Sequence, residues 1–173
     1  GNGSPPNLDV AVDPVDGTRP LAFGRANSIA VVALAPRGAM FNPGPFVYMN
    51  KIAVGPEARG RINIEKPITE NLKAIAKAKG KAVEDLTTII LDRPRHEEMV
   101  KEIRKAGARI RQIPDGDVAA ALMTAMPDAG VDVLFGVGGT PEGVITACAL
   151  RAMGGEIQGK LYARDDDEMR RGR

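Results

Sequence analysis

The feature that most constrains the fold of this chain is an alternation of strand-like and helix-like segments from residue 67 onward. The first segment, "PITENLKAIAKAKG", has Pro67 and Thr69 as helix-start signals and Gly80 as a stop, and it predicts a helix. Three rounds of strand and helix follow, and their strands are "TTIIL", "ARIRQI" and "VDVLFGV". Alternation at this spacing is typical of α/β folds with a mainly parallel sheet.

The chain before this alternation predicts strands rather than helices. Leu8, Val10 and Val12 alternate with polar or small residues, which is the period of a half-buried strand, and this strand should end at Pro14. The run at residues 27–35 is almost entirely apolar. It predicts a strand that is buried on both faces.

These patterns divide the chain into two parts. We expect a β-rich part over residues 1–64, which ends with a strand in "FVYMNKIAVG", and an α/β part over residues 65–173. The last predicted strand is "EIQGKLYAR", and the charged end "DDDEMRRGR" should be exposed. The chain opens on a loop-like "GNGSPPN" directly before patterned sequence. We therefore expect a fragment of a longer protein.

The composition argues against a nucleic-acid-binding protein. The chain has 24 Lys and Arg residues against 22 Asp and Glu residues, and only 3% of its residues are aromatic. A nucleic-acid-binding domain usually has a concentrated basic surface or aromatic rings that stack on bases. Apolar runs near the roughly 20 residues of a membrane span are absent from the sequence, and the first residues lack a signal-peptide pattern. We expect a cytoplasmic protein.

A metal bound by this chain should be held by carboxylates. The single cysteine, Cys148, and the single histidine, His96, cannot form an internal disulfide or a Cys/His zinc cluster. Oxygen ligands favour magnesium or manganese over zinc or copper. We expect Cys148 in the core and His96 on a helix surface.

Polar segments follow the predicted parallel strands, where ligands of open α/β sheets bind. In "DRPRH", Arg93 and Arg95 flank Pro94, and two neighbouring guanidinium groups either bind phosphate oxygens or are solvated at a helix start. In "PDGD", Asp117 either caps the next helix or acts with Asp115 to hold sugar hydroxyls.

The segment "GVGGTPEG" places three glycines between a strand and a helix, with Thr140 as the predicted N-cap and Pro141 at the first helical position. Free backbone N–H groups and the helix dipole make this an anion site. Alternatively, Glu142 only stabilises the helix N-terminus. The segment has neither the lysine of a Walker loop nor the GxGxxG spacing of a dinucleotide site.

Asp13 and Asp16 bracket a proline in "VDPVDGT". Two carboxylates within about 4 Å repel by roughly 4 kcal/mol at an effective dielectric constant near 20, unless a cation or solvent intervenes. The pair is therefore either part of a metal site or an ordinary set of turn residues. Thr18 would place a hydroxyl near a bound metal.

Taken together and in order, these segments resemble the class II fructose-1,6-bisphosphatases, some of which also act on sedoheptulose bisphosphate. The resemblance rests on "VAVDPVDGT", "ANSIAVVAL", "YMNKIAVGP", "TIILDRPRH", "IPDGDVAAALMTAMPD", "VDVLFGVGGTPEGVITACALRAMGG" and "GKLYARD". It covers nearly the whole chain but roughly the central half of such enzymes. It implies a layered α/β fold of the inositol monophosphatase and fructose bisphosphatase type, and a homo-oligomeric enzyme.

The resemblance implies hydrolysis of the 1-phosphate of fructose 1,6-bisphosphate to fructose 6-phosphate in gluconeogenesis, with Mn²⁺ or Mg²⁺ as the cofactor. It assigns metal binding to Asp13, Asp16 and Glu142, and catalysis to Thr18 with Asp13 and Asp16. The sugar phosphate would contact Asp16, Gly17, Thr18, Tyr48, Arg93, Pro94, Arg95, Asp115, Gly116, Asp117 and Gly139. The family usually has glutamate at position 16 and lysine at position 93.

Three alternatives remain. Asp16 gives the loop the "DP-x-D-G-T" pattern of inositol monophosphatase-like enzymes, so an inositol or nucleotide phosphatase is the first. The second is a non-catalytic fragment that binds sugar phosphates. The third, a nucleotide-binding module, is disfavoured by the missing Walker lysine.

Overall fold

The structure, a computed structural model, describes residues 3–163 and 166–171. The strands are β1 (Leu8–Asp16), β2 (Ile29–Pro36), β3 (Tyr48–Val54), β4 (Thr87–Leu91), β5 (Arg109–Ile113), β6 (Val133–Gly139) and β7 (Glu156–Tyr162). The α-helices are α1 (Thr18–Ala22), α2 (Ile68–Lys79), α3 (Glu97–Ala106), α4 (Asp117–Met123), α5 (Thr140–Ala152) and α6 (Asp166–Arg171). Two sheets are present among these residues, and strands and helices alternate from α2 onward, as the sequence predicts.

The larger sheet has five strands in the order β5-β4-β6-β3-β7. Strand β4 pairs in parallel with β5 and β6, so this half of the prediction is confirmed. The prediction of a mainly parallel sheet is wrong for the other half, because β3 lies antiparallel between β6 and β7. The sheet is therefore mixed, and a strand from the first 64 residues completes it. The division of the chain at residue 64 stays a prediction.

Helices cover both faces of this sheet. Ile90 of β4 packs with Leu72 and Ile75 of α2 on one face, whereas Ile89 packs with Ala120 of α4 on the other. Successive strand residues point to opposite faces, so a strand that is covered on both sides needs apolar residues throughout. Helix α2 ends at Gly80, whose φ of 62° is left-handed, as the stop signal predicts. This covered sheet is the rigid part of the molecule.

The smaller sheet is an antiparallel pair of β1 and β2, which we call the ribbon. The prediction that β1 ends at Pro14 is wrong, because β1 continues to Asp16. The pairing register shifts between Asp13 and Asp16, and Pro14 sits in this irregular stretch. A bulge of this kind accommodates a residue without an N–H group and bends the strand.

The ribbon buries a different face from the one that the sequence predicts. Val10 and Val12 are 59% and 62% exposed, so the alternating apolar face of β1 is not the buried one. Val32 of β2 is 65% exposed, so β2 is buried on one face and not on both. The covered face carries Ala33, which packs with Val118 of α4. Apolar alternation marks a strand, but it does not say which of two faces a given partner covers.

The prediction for His96 is also wrong. His96 is buried rather than on a helix surface, and Val137 N–H donates to its Nε2 over 2.8 Å. Its Nδ1 lies 2.7 Å from Leu91 O, so the ring joins the ends of β4 and β6, and burial lowers the pKa of His96.

The charged end is exposed at Asp167, Met169 and Arg170, as expected, whereas Glu168 of α6 is only 1% exposed. Residues 165 and 172–173 of that end, and residue 164 of the last predicted strand, lie outside the described residues.

Cys148 is partly buried and packs beside the cluster under the ribbon, close to its predicted core position. The helices in the described part of the chain are all too short or too polar to cross a bilayer.

Candidate active site

The end of the ribbon meets the edge of the larger sheet at a pocket of about 350 Å³. Eleven of the predicted site residues line it: Asp13, Asp16, Gly17, Thr18, Tyr48, Arg93, Arg95, Asp115, Asp117, Gly139 and Glu142. Leu91, the last residue of β4, also lines it. The site therefore lies beyond the carboxyl end of a central parallel strand, as expected for an α/β sheet.

Two predicted contact residues, Pro94 and Gly116, do not line this pocket. Pro94 begins a single 3₁₀ turn, Pro94–His96, that leads into α3. Gly116 has a left-handed φ of 87°, and a Cβ there would lie 3.3 Å from Asn27 O and 3.7 Å from Asp16 Oδ2. Its lack of a side chain lets the start of α4 approach the ribbon closely.

Asp16 is the most buried carboxylate of the pocket, with 5% of its surface exposed. Ala119 N–H, in the first turn of α4, donates to its Oδ2 over 3.2 Å. Burial and, to a smaller extent, the negative charges of Asp117, Asp13 and Glu142 together raise the pKa of Asp16 to about 6, although the hydrogen bond from Ala119 partly offsets them. The carboxylates of the pocket therefore repel one another in the absence of a cation.

Asp13 and Glu142 reach the pocket from different elements, β1 and α5. Val15 N–H donates to Asp13 Oδ1 over 3.0 Å, which fixes the carboxylate at the bulge of β1. Glu142 is in the first turn of α5, and its Oε2 is buried without a hydrogen-bond partner in the described part of the chain. Burial raises the pKa of Glu142, and the charge of Asp117 adds to this.

These oxygens have the chemistry that a hard divalent cation requires. The unpartnered Glu142 Oε2 and the crowded charge around Asp16 both fit a cation in the pocket. Over residues 3–163 and 166–171, however, the carboxylates are not gathered into a group of three or more that could hold a metal by itself. The arrangement therefore fits a metal that keeps several substrate or water oxygens among its ligands.

Asp115 connects the ribbon side of the pocket to the sheet side. Its Oδ2 accepts hydrogen bonds from Thr18 Oγ1 over 3.3 Å and from Arg19 N–H over 3.4 Å. Its Oδ1 lies 3.5 Å from Arg93 Nη2. Arg93 also donates to Pro114 O over 2.6 Å, so its guanidinium is held at the rim of the pocket.

Arg95 is oriented by the sheet edge and by an aromatic ring. Its Nε and Nη2 donate to Val137 O over 3.0 and 2.8 Å, and its guanidinium lies 5.2 Å from the centre of the Tyr48 ring. These contacts use only part of its five N–H groups, so the rest can bind an anion in the pocket.

The predicted helix caps and the glycine loop differ from the structure. Gly116 rather than Asp117 is the N-cap of α4, and Gly139 rather than Thr140 is the N-cap of α5. Thr140 Oγ1 instead donates to Phe46 O over 2.9 Å. Strand β6 runs to Gly139 and α5 begins at the next residue, so no loop separates them. At this junction, Thr140 N–H donates to Val47 O over 2.9 Å.

Sequence reasoning missed Lys51, which lies beneath the pocket. Its Nζ is 2.6 Å from Asp117 Oδ2, and only 3% of its side chain is exposed. The signal that could have found it is a lysine within the otherwise apolar strand of "YMNKIAVG". A buried ammonium group needs a nearby carboxylate.

The chain matches, over residues 1–173, the family model described as bacterial fructose-1,6-bisphosphatase, glpX-encoded. The chain belongs to this family. It is 47% identical over 166 residues to the fructose-1,6-bisphosphatase 1 class 2 of Escherichia coli (strain K12) and equally to the fructose-1,6-bisphosphatase class 2 of Shigella flexneri. The match covers 96% of this chain and 49% of either relative. The chain thus spans about half the length of the curated relatives it matches.

Proposed function

We propose that this chain carries the substrate site of a metal-dependent sugar bisphosphatase. The reaction is hydrolysis of the 1-phosphate of fructose 1,6-bisphosphate to fructose 6-phosphate, a step of gluconeogenesis, with sedoheptulose 1,7-bisphosphate as a second substrate. The observation that carries this proposal is one pocket in which carboxylates face two oriented guanidinium groups. The similarity to class 2 fructose-1,6-bisphosphatases supports it.

The proposed cofactor is Mg²⁺ or Mn²⁺, held by Asp13, Asp16 and Glu142 because they supply the pocket's buried oxygen donors. When bound, such an ion neutralises charge that develops on the phosphate and on the leaving oxygen.

The other residues bind and orient the substrate. Arg93 and Arg95 would hold a phosphate through their remaining N–H groups, and Asp115 and Asp117 would accept hydrogen bonds from sugar hydroxyls. Thr18 donates a hydrogen bond to Asp115, so the lone pairs of its Oγ1 point elsewhere and can accept a hydrogen bond from the attacking water. In the reaction, the water oxygen bonds to phosphorus and loses one proton, the bond from phosphorus to the sugar oxygen breaks, and that sugar oxygen takes up one proton, so that one water is consumed and one phosphate is released.

The test measures inorganic phosphate released by the full-length enzyme from fructose 1,6-bisphosphate, sedoheptulose 1,7-bisphosphate and inositol monophosphate. We expect release from the sugar bisphosphates that requires Mn²⁺ or Mg²⁺ and stops with a chelator. Asp128→Asn is a matched control for carboxylate substitutions, because Asp128 is exposed and lines a different pocket at the far end of β4. Metal-stimulated release from none of the sugar bisphosphates would contradict the proposal.

Two observations favour other candidate functions, which the same assays test. The short side chain of Asp16 favours an inositol phosphatase, which preferred release from inositol monophosphate would support. The lack of a three-carboxylate metal group among the described residues favours a chain that binds sugar phosphates without turnover. Binding of fructose 6-phosphate in calorimetry without phosphate release would support this second candidate.

The proposal extends to properties of the whole protein. They are layering of the inositol monophosphatase type, a functional division near residue 64, a cytoplasmic location and a homo-oligomeric state. Light scattering of the full-length enzyme tests the oligomeric state, and cell fractionation tests the location.

A further inference from the structure

Lys51 is a buried cation in the middle of the larger sheet. It lies on β3, paired across the sheet with Gly136 of β6 and Gly159 of β7, and its side chain is 3% exposed. Burying an ammonium group is costly unless a charged partner compensates for the lost water. The buried ammonium group of Lys51 therefore needs a negatively charged partner.

That partner is Asp117, which also lines the pocket. Lys51 Nζ lies 2.6 Å from Asp117 Oδ2, while Asp117 stands at the first residue of α4 beside the other carboxylates. The negative charge of Asp117 raises the pKa of both Asp16 and Glu142, and the positive charge of Lys51 lowers the pKa of Glu142. Lys51 is thus placed to act on the pocket without lining it.

Gly138 leaves the space for this ion pair. A Cβ at position 138 would overlap Asp117 Oδ2 and lie 3.0 Å from Lys51 Nζ. The second glycine of "GVGG" therefore serves a function that its sequence context does not reveal. It allows a carboxylate from α4 to reach a lysine on β3 across the end of β6.

We propose that Lys51 is a positioning residue for substrate binding: it holds Asp117 by one carboxylate oxygen and offsets the pocket's negative charge so that a sugar phosphate can approach. This inference rests on the proposed function, because it assigns Asp117 to the substrate. Without the lysine, Asp117 would be a buried carboxylate with no countercharge. It would be free to turn toward the cation and away from the sugar.

Loss of Lys51 should weaken substrate binding but leave metal binding the same or strengthen it. Lys51→Met in the full-length enzyme should raise the KM for fructose 1,6-bisphosphate at least tenfold, because orientation is lost and repulsion of the phosphate increases. The Mn²⁺ concentration for half-maximal activity should stay the same or fall, because added negative charge attracts a cation. Lys51→Gln should show the same direction and provides a second variant if the methionine variant folds poorly.

The control is Lys79→Met, which removes one lysine from a second buried ion pair. Lys79 Nζ lies 2.7 Å from Asp132 Oδ1 at the opposite end of the sheet. This variant should lower the melting temperature but leave KM within twofold of the unmutated enzyme. If Lys51 has a purely structural role, Lys51→Met should likewise lower the melting temperature and leave KM within twofold.

The decisive measurement is a double-mutant cycle with Asp117→Asn. If Lys51 acts mainly through Asp117, then Lys51→Met should raise KM much less in the Asp117→Asn background than in the unmutated enzyme, because only its effect on the other carboxylates remains. Equal KM increases in both backgrounds, or a single variant that behaves like Lys79→Met, would overturn the inference. Absence of turnover by the unmutated full-length enzyme would overturn the proposed function and with it this role of Lys51, and that result is distinct from the other two.

Discussion

The larger sheet and the ribbon contribute to one pocket but are held in different ways. The sheet is covered by helices on both faces, and its central residues Ile89 and Ile90 are fully buried. The ribbon is covered on one face only, and a two-stranded sheet is marginally stable by itself. The larger sheet thus orients the proposed phosphate-binding arginines, while the ribbon supplies two of the proposed metal ligands.

Few contacts connect the two regions at the site. Ala119 N–H donates to Asp16, and Asp115 accepts hydrogen bonds from Thr18 and from the backbone of Arg19. Carboxylates that repel one another are costly in a folded chain, and functional sites commonly carry such a cost. Two of the proposed metal ligands thus lie on the part of the fold that is covered on one face only.

The largest expected effect tests whether both regions supply metal ligands. Asp13→Asn on the ribbon and Glu142→Gln on α5 should each lower kcat of the full-length enzyme by about 10² to 10³, as removal of a charged active-site group commonly does. The measurement is phosphate release at saturating fructose 1,6-bisphosphate over a range of Mn²⁺ concentrations. Loss in only one of the two variants would show that the site does not span both regions.

The second prediction concerns stability. Val133→Ala in the larger sheet, where the side chain is fully buried, should lower the free energy of unfolding of this chain by about 2 kcal/mol or more. Val32→Ala in the ribbon removes the same atoms from a side chain that is 65% exposed, and it should change this energy by no more than about 0.5 kcal/mol. Urea unfolding of both variants measures the difference, and equal losses would remove the contrast between the regions.

The third prediction uses the raised pKa of Asp16. Because its pKa is about 6 rather than 3.8, the folded chain binds this proton more tightly than the unfolded chain. Asp16 therefore lowers metal-free stability progressively as the pH rises from about 4 to about 6. Asp16→Asn should increase the metal-free unfolding free energy at pH 7 by roughly 1 to 2 kcal/mol and change it far less at about pH 3.5, where the Asp16 carboxyl is mostly protonated in both the folded and the unfolded chain.

Urea unfolding in the presence of a chelator, at pH 3.5 and pH 7, measures this effect. Asp128→Asn should show no difference between the two pH values that exceeds a few tenths of a kcal/mol, because exposed substitutions usually have small effects. A destabilised Asp16→Asn variant at pH 7 would show that Asp16 is held by favourable contacts and not against repulsion.

The smallest expected effect lies on the sheet side. Arg95→Ala should raise KM for fructose 1,6-bisphosphate about tenfold, equivalent to about 1.4 kcal/mol, with kcat within a few-fold of the unmutated enzyme. The reason is that Arg95 is proposed to bind a phosphate, and it is held by Val137 O rather than by the carboxylates. An unchanged KM in a folded variant would show that the phosphate contact is misassigned.

The sequence predicts the α/β segment well because its local signals agree with its burial. "TTIIL" is β4, Thr87–Leu91, and α2 ends at the predicted Gly80. Apolar periodicity and a glycine stop are local properties of the sequence. Here they agree with the tertiary structure, because helices cover both faces of the sheet.

The remaining features depend on contacts between distant parts of the chain. The exposed face of β1 and the position of β3 between β6 and β7 follow from tertiary packing rather than from any local pattern. His96 is buried because two strand ends lie beside it, and Lys51 is buried because α4 brings Asp117 to it. For the site, the motifs predict which side chains line the pocket, but not which of them are already paired with one another.

The proposed site requires the ribbon carboxylates Asp13 and Asp16 to act on the same ligand as Arg93 and Arg95, which follow β4. The most direct test is calorimetric titration of Mn²⁺ into the full-length enzyme, with and without saturating fructose 6-phosphate and inorganic phosphate. We predict at least fivefold tighter Mn²⁺ binding when these products are present, and loss of this coupling in Asp13→Asn and in Arg95→Ala. The same Mn²⁺ Kd with and without the products would contradict the claim.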